Sequence, residues 1–229
     1  MTDESILREQ VAYYRARAGE YDEWFLREGR YGRGPVHREE WFREIDSIRG
    51  ALGASIGGMD VLELACGTGL WTEQLARENR RVLAVDSSPE AISLNGNRVG
   101  GGADRVRYEI ADIFSWTPTA QFDAVFFAFW LSHVPPDRFE RFWTTVAASL
   151  RPGGRVFFVD SLLEPSSTAT DHVIDGSGIV RRRLNDGREF EIVKIFYDPE
   201  PLERRLSQLG WRGTVRSPGK FFLFGLFER

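Results

Sequence analysis

Between residues 60 and 160 the chain repeats one pattern: a short apolar run, then an amphipathic stretch. The runs are Val61–Leu64, Val82–Val85, Val106–Ile110, Ala124–Phe129 and Arg155–Val159, rich in β-branched and aromatic residues. Most are apolar throughout rather than alternating, as a strand must be when helices cover both of its faces. Helices are expected at about 70–79, 89–98 and 137–150; in the last, Phe139, Phe142, Val146 and Leu150 recur at helical spacing. Strands that alternate with helices predict a doubly wound α/β sheet.

The flanks read differently. Leu7, Val11, Tyr14, Ala18, Tyr21 and Phe25 form one apolar stripe at steps of four and three, which predicts a helical leader. A glycine-rich break at 29–35 separates it from a second helix carrying Trp41, Ile45, Ile48 and Leu52. Leu163–Ser177 reads as a polar loop. Ile179–Leu184 and Glu189–Tyr197 then flank Asn185-Asp186-Gly187, a strong hairpin signal because these residues tolerate the positive φ of a tight turn. A helix through Leu202, Leu206 and Leu209 ends at Gly210, and strands at Trp211–Arg216 and Phe221–Phe227 close the chain. The expected architecture is one α/β domain with a seven-stranded, mostly parallel sheet and an antiparallel C-terminal strand. It divides into a helical leader or lid (1–55), a core (60–160), a loop and β-hairpin insertion after strand 5 (161–197) and a C-terminal helix with a strand pair (198–229).

Composition narrows the function classes. The 30 basic and 34 acidic side chains leave a formal charge of −4, so there is no global attraction to nucleic acid. A single cysteine, Cys66, excludes an internal disulfide and points to a reducing, cytoplasmic setting. There is no apolar run of membrane-spanning length, and MTDESILREQ is too acidic and polar for a secretory signal. No His, Cys and carboxylate set has metal-ligand spacing, so no metal is expected.

The segment Val61-Leu62-Glu63-Leu64-Ala65-Cys66-Gly67-Thr68-Gly69 runs from a buried strand into a Gly-x-Gly turn and on into a helix. Glycine lets a ligand approach the backbone, and a helix start presents unpaired N–H groups that suit an anionic group. Dinucleotide binding is the first reading. The third glycine of that fingerprint is missing, however, because Thr72 stands in its place.

With its neighbours, this segment resembles the class I S-adenosylmethionine (SAM)-dependent methyltransferases. Glu63, Gly67 and Gly69 match the family's first motif. Asp86 ends the second run where the family has its ribose-binding acid, and Ala111-Asp112-Ile113 matches the position of its adenine contact. Phe122-Asp123-Ala124-Val125 and Leu150-Arg151-Pro152-Gly153-Gly154 match two further family segments. The resemblance covers residues 61–160, in order and at family spacing. It implies SAM as cofactor, with S-adenosylhomocysteine as product. It also implies a cofactor site built from Glu63, Ala65, Gly67, Gly69, Asp86, Ser87, Asp112, Ile113 and Phe129, with Tyr21 reaching over from the leader.

The implied reaction is in-line methyl transfer to O or N of a small, largely apolar or aromatic acceptor, in a monomer or a homodimer. Alternatives are SAM binding without turnover, a nicotinamide-dependent oxidoreductase, and methylation of RNA or DNA. Val134-Pro135-Pro136-Asp137 lacks both the amide and the aromatic of base-amino methyltransferases, which argues against the last. His133, just past the fourth run, is the candidate general base, with a packed histidine as the competing reading. His37 on the leader is a weaker candidate to face the acceptor, and His172 is expected to be solvated. Arg181-Arg182-Arg183 and Arg188 sit beside Asp186, Glu189 and Glu191 and read as a solvated hairpin; the second reading is a site for an anionic acceptor such as a carboxylate.

Overall fold

A computed structural model describes residues 3–169, 172 and 178–229. The end of the expected polar loop (170, 171 and 173–177) lies outside the described residues. Seven strands form one sheet: β1 (Asp60–Leu64), β2 (Arg81–Asp86), β3 (Val106–Ile110), β4 (Phe122–Ala128), β5 (Leu150–Ser161), β8 (Arg212–Arg216) and β9 (Phe222–Glu228). Their order is β3-β2-β1-β4-β5-β9-β8, parallel from β3 to β5, with β9 antiparallel to both of its neighbours. β6 (Ile179–Arg183) and β7 (Glu189–Val193) make a separate antiparallel hairpin.

The apolar runs are split by the pleat into two layers. Val61, Ala124, Phe126 and Phe157 face one way, onto Trp41, Ile48 and Leu52 of helix α3 (Pro35–Ile56) and Leu75 of α4 (Thr72–Glu78). Leu62, Val125, Phe127 and Phe158 face the other way, onto Phe142 and Trp143 of α6 (Phe139–Ala148) and Leu202 and Leu206 of α7 (Pro199–Gln208). All of these core side chains are buried, and each contributes about 1.5–3 kcal/mol of transfer free energy. The fifth main helix, α5 (Pro89–Val99), is capped by Ser88, whose Oγ accepts from Ala91 N at 3.1 Å.

Two of the motif segments meet at the sheet end remote from the nucleotide turn. Asp123 Oδ1 accepts from Arg151 Nη1 at 2.5 Å, and its Oδ2 accepts from the backbone N of Asp60 at 3.0 Å. They tie β4 to β5 and β1 and do not approach the glycine turn.

The leader departs most from expectation. It is not one long helix: α1 (Asp3–Arg17) passes through a short 3₁₀ turn into α2 (Tyr21–Leu26). The stripe Leu7, Val11, Tyr14, Ala18 and Tyr21 lines a cavity, while its last member, Phe25, is buried in the core. A second stripe, Ile6, Gln10, Tyr13 and Arg17, is the more deeply buried one, with Tyr13 packed against Val180, Leu184 and Ile192 of the hairpin. Hydrophobic periodicity misses it because half of its members are polar. Among the described residues no helix is long and apolar enough to cross a membrane.

Candidate active site

The C-terminal ends of β1, β2 and β4 open onto a cavity of about 630 Å³, within the range of cofactor sites. At its edge β1 turns sharply. Ala65 sits at φ +54° and Gly67 at +53°, and a Cβ built on Gly67 would enter open space. Across the cavity Phe129 takes φ +55° as the chain leaves β4. Left-handed backbone at non-glycine residues is costly, and two of the three such residues in the described chain border this one cavity.

Asp86 ends β2 with its carboxylate against the turn. Oδ2 accepts from Gly67 N and Oδ1 from Ser88 N, each at 2.9 Å. Burial raises its pKa against the pull of these N–H donors. A carboxylate has about four acceptor sites, so each oxygen can still take a hydroxyl from the cavity side. Ser87 lies beside it, and Asp112, whose Oδ1 caps the next turn through Phe114 N at 3.0 Å, lines the far wall with Ile113. Tyr21 covers the cavity from the leader.

Two residues expected to touch the cofactor do not line the cavity. Gly69 is at φ +90°, and a Cβ there would lie 2.7 Å from Asn95 Oδ1, so its glycine makes room for α5. Glu63 points into the core, where its Oε2 accepts from Thr72 Oγ1 at 2.7 Å, and Asn95 Nδ2 donates to that same hydroxyl at 2.8 Å. Glu63 organises the loop from behind. Burial pushes its carboxyl up to about 8 despite the Thr72 hydrogen bond, with the charge of Asp86 adding to the rise.

That shift has a sign. Glu63 is neutral in the folded protein at pH 7 and ionised in the unfolded chain. Its contribution is therefore complete below about pH 4.5 and is lost as pH rises through about 8. Glu63→Gln, which cannot ionise, should flatten the melting temperature between pH 5 and 8, where wild type declines by up to about 1.4 kcal/mol per pH unit. Parallel pH curves for the two proteins would contradict the assignment.

A second, smaller cavity of about 60 Å³ lies under the leader and hairpin, and it differs in charge. Arg17, Arg182 and Lys194 all reach it, and no carboxylate is among its described lining residues. Arg17 donates to the hydroxyls of Tyr13 (2.7 Å) and Tyr31 (3.2 Å). Arg182 is the inward arginine of β6; it donates to Thr168 Oγ1 at 2.9 Å, and its Nη1 lies 3.1 Å from His172 Nδ1. Lys194 Nζ donates to Ser132 Oγ at 2.8 Å and lies 3.5 Å from Asp160 Oδ1, among the described residues the one buried acid that answers these cations. Desolvation depresses the pKa of both Arg182 and Lys194.

This chamber corrects two expectations. The hairpin arginines alternate, with Arg181 and Arg183 outside and Arg182 buried, so the hairpin is not simply solvated. His172 is held against Arg182 at the chamber instead of standing in solvent. The chamber itself is cationic. His37 binds Ser166 Oγ at 3.1 Å and packs on Phe221, outside both cavities. His133 lines both cavities, but its nitrogens are occupied: Nδ1 by Val193 O at 2.6 Å and Nε2 by the Tyr14 hydroxyl at 2.7 Å. Burial and the neighbouring Lys194 hold it well below its usual pKa. Cys66 is buried with a raised pKa, as a small packed side chain would be.

Residues 61–154 match the model of a family described as "Methyltransferase domain". The solved DhpI–SAM–HEP complex is 39% identical over 100% of both chains, with a TM-score of 0.82. The chain belongs to the class I SAM-dependent methyltransferases. The DhpI–SAH complex is 40% identical over 99% of this methyltransferase and 98% of that chain, with a TM-score of 0.79. Among curated relatives, a ubiquinone biosynthesis O-methyltransferase of Xylella fastidiosa (strain M23) is 38% identical over 159 residues. That match covers 68% of this methyltransferase and 62% of the relative's length.

Leader and hairpin, the parts least legible in the sequence, supply what the core lacks. Asp22 accepts from Thr68 Oγ1 at 2.6 Å and pairs with Arg98, fastening α2 to the glycine turn and α5. Trp24 Nε1 and Arg27 Nη1 donate to Ser167 O at 2.9 and 2.8 Å, fastening α2 to the turn after β5. Sequence reasoning missed Arg17, Lys194 and Asp160. Lys194 did leave a signal, a lone charge in Ile192-Val193-Lys194-Ile195-Phe196, and Asp160 stands near the C-terminal end of a parallel strand.

Proposed function

We propose that this methyltransferase transfers a methyl group from SAM to an oxygen of a small anionic acceptor, such as a carboxylate or phosphonate. One observation carries the acceptor class: a chamber that, among the described residues, has three buried cations and one buried acid behind it, adjoining the cofactor cavity. Buried cations that outnumber the acids facing them are costly, and an anionic guest removes part of that cost. The DhpI complexes, with SAH in one and with SAM and HEP in the other, support the cofactor half of this reading.

The cavity residues fit the cofactor. Asp86 takes the ribose hydroxyls, the Ala65–Gly67 turn lies flush against the amino-acid portion, and Asp112 with Ile113 borders the adenine. SAM, when bound, supplies a methyl activated by a sulfonium, and the C–S bonding pair stays on sulfur as an oxygen lone pair forms the new C–O bond. Arg17, Arg182 and Lys194 hold the acceptor by charge-assisted hydrogen bonds and fix its distance and line of approach. An oxyanion has no proton to lose, so the reaction needs no base. The neutral, fully hydrogen-bonded His133 agrees with that. The chamber is small and lies under leader and hairpin, which favours a free small molecule over a base in a polymer.

Calorimetric titration with SAM, followed by transfer of labelled methyl to methylphosphonate, succinate, phosphate and the neutral phenol guaiacol, tests the reading. SAM binding and a labelled ester from at least one anion are expected. Turnover of guaiacol with no anion methylated would overturn the acceptor class, and absence of SAM binding would overturn the whole assignment.

A further inference from the structure

The two cavities share one wall, made by Tyr14, Tyr21, Phe129 and His133. A group passing from a cofactor in one cavity to an acceptor in the other must cross there. Within that wall the Tyr14 hydroxyl and the His133 ring are joined directly, Oη to Nε2, at 2.7 Å.

The direction of this hydrogen bond is set by the other side of the ring. His133 Nδ1 faces the carbonyl oxygen of Val193 at 2.6 Å, and a carbonyl can only accept, so Nδ1 carries the hydrogen. The surroundings keep the ring neutral: it is buried, Lys194, Arg182 and Arg17 face it, and the buried acid Asp160 is engaged by Lys194. A neutral ring with hydrogen on Nδ1 presents a lone pair at Nε2, so Tyr14 must donate. Gln10 locks the frame from outside, its Nε2 donating to His133 O at 3.2 Å and its Oε1 accepting from Val193 N at 3.1 Å. The Tyr14 hydroxyl hydrogen is thereby committed to the ring, and its oxygen lone pairs are left for the junction.

We infer that His133 is a positioning residue that acts through Tyr14: by holding the phenol hydrogen, it leaves the phenol oxygen to accept C–H···O contacts from the sulfonium methyl and so to aim that methyl at the acceptor chamber. The inference rests on the methyl-transfer reading above. A methyl next to a sulfonium has polarised C–H bonds, and a phenol oxygen with its own hydrogen turned away is a suitable partner. With the opposite tautomer Tyr14 would accept from the ring and point its hydrogen at the methyl, a repulsive arrangement. The Val193 carbonyl excludes that tautomer.

The test uses the full chain and SAM labelled with ¹³C at the methyl. Calorimetry comes first, because failure of wild type to bind SAM sinks the methyl-transfer reading itself. In the bound wild type the methyl proton resonance should lie downfield of its free position. Tyr14→Phe, which keeps the ring, should abolish most of that displacement while changing SAM affinity by no more than about two- to fivefold, the worth of weak C–H···O contacts. His133→Phe should reduce the displacement as well, and the double variant should be no worse than Tyr14→Phe alone. A methyl resonance unmoved in Tyr14→Phe overturns the inference, and so does a further loss in the double variant, which would show His133 acting independently of Tyr14. If His133→Phe does not fold, Tyr14→Phe against wild type still decides.

Discussion

Arg182→Met should make the free protein more stable and nearly inactive on anionic acceptors. Arg182 is 8% exposed, donates to the Thr168 hydroxyl, touches His172, and shares a chamber with Arg17 and Lys194. With no acceptor bound, its desolvation is answered by little. Replacing such a charge by an apolar side chain of similar length is neutral or stabilising, here by about 1 kcal/mol, or roughly 2–4 °C in Tm for a chain of this size. With an acceptor bound the same charge becomes one side of a buried, hydrogen-bonded ion pair. Removing it should lower kcat/KM on the order of 10²–10³-fold, with SAM affinity unaffected. Lys194→Met should behave oppositely in the free protein, because it strands the buried Asp160 without its cation and so lowers Tm. Thermal scans and initial rates with methylphosphonate or succinate check both signs. An Arg182→Met protein that melts earlier yet keeps its rate would mean that this guanidinium serves the fold and not an acceptor.

Asp86→Ala is the second large effect. Each carboxylate oxygen already holds one backbone N–H, from Gly67 and Ser88, and each can take one further hydrogen bond from the cavity side. Charge-assisted bonds of this kind contribute about 1.5–3 kcal/mol, so the dissociation constant for SAM should rise roughly 10- to 100-fold. Asp86→Asn retains one carbonyl oxygen and should fall between alanine and wild type. The ordering separates the loss of hydroxyl acceptors from a general loosening of the glycine turn, which alanine alone would not do. Equal affinities for all three proteins in a calorimetric titration would remove Asp86 from the cofactor site.

Much of this molecule is determined locally. A strand covered on both faces must be apolar along its whole length, which marks β1, β2, β4 and β5 before any packing is known. The acid at the end of β2, the glycine-bearing turn after β1 and the Asp112 segment after β3 stand near one another because parallel strands share their C-terminal ends. Any doubly wound reading of this sequence brings them to one cavity. What a motif residue does within that frame is a different matter. Glu63 and Gly69 belong to the first motif, yet the structure turns both toward Thr72 and Asn95, and only the packing of α5 against the turn decides that.

The cationic chamber was decided entirely by tertiary structure. Arg17, Asp160, Arg182 and Lys194 come from a helix, a sheet strand, a hairpin strand and the segment after it. Along the chain each stands among ordinary neighbours, and a charged side chain read alone is a solvated one. Gln10 and Arg17 even hide the face of α1 that packs on the hairpin, since a search for apolar spacing counts them against burial. Local patterning reports where apolar surface must leave water. It carries no information about which distant charges are brought out of water together, because that depends on the docking of leader and hairpin over the sheet.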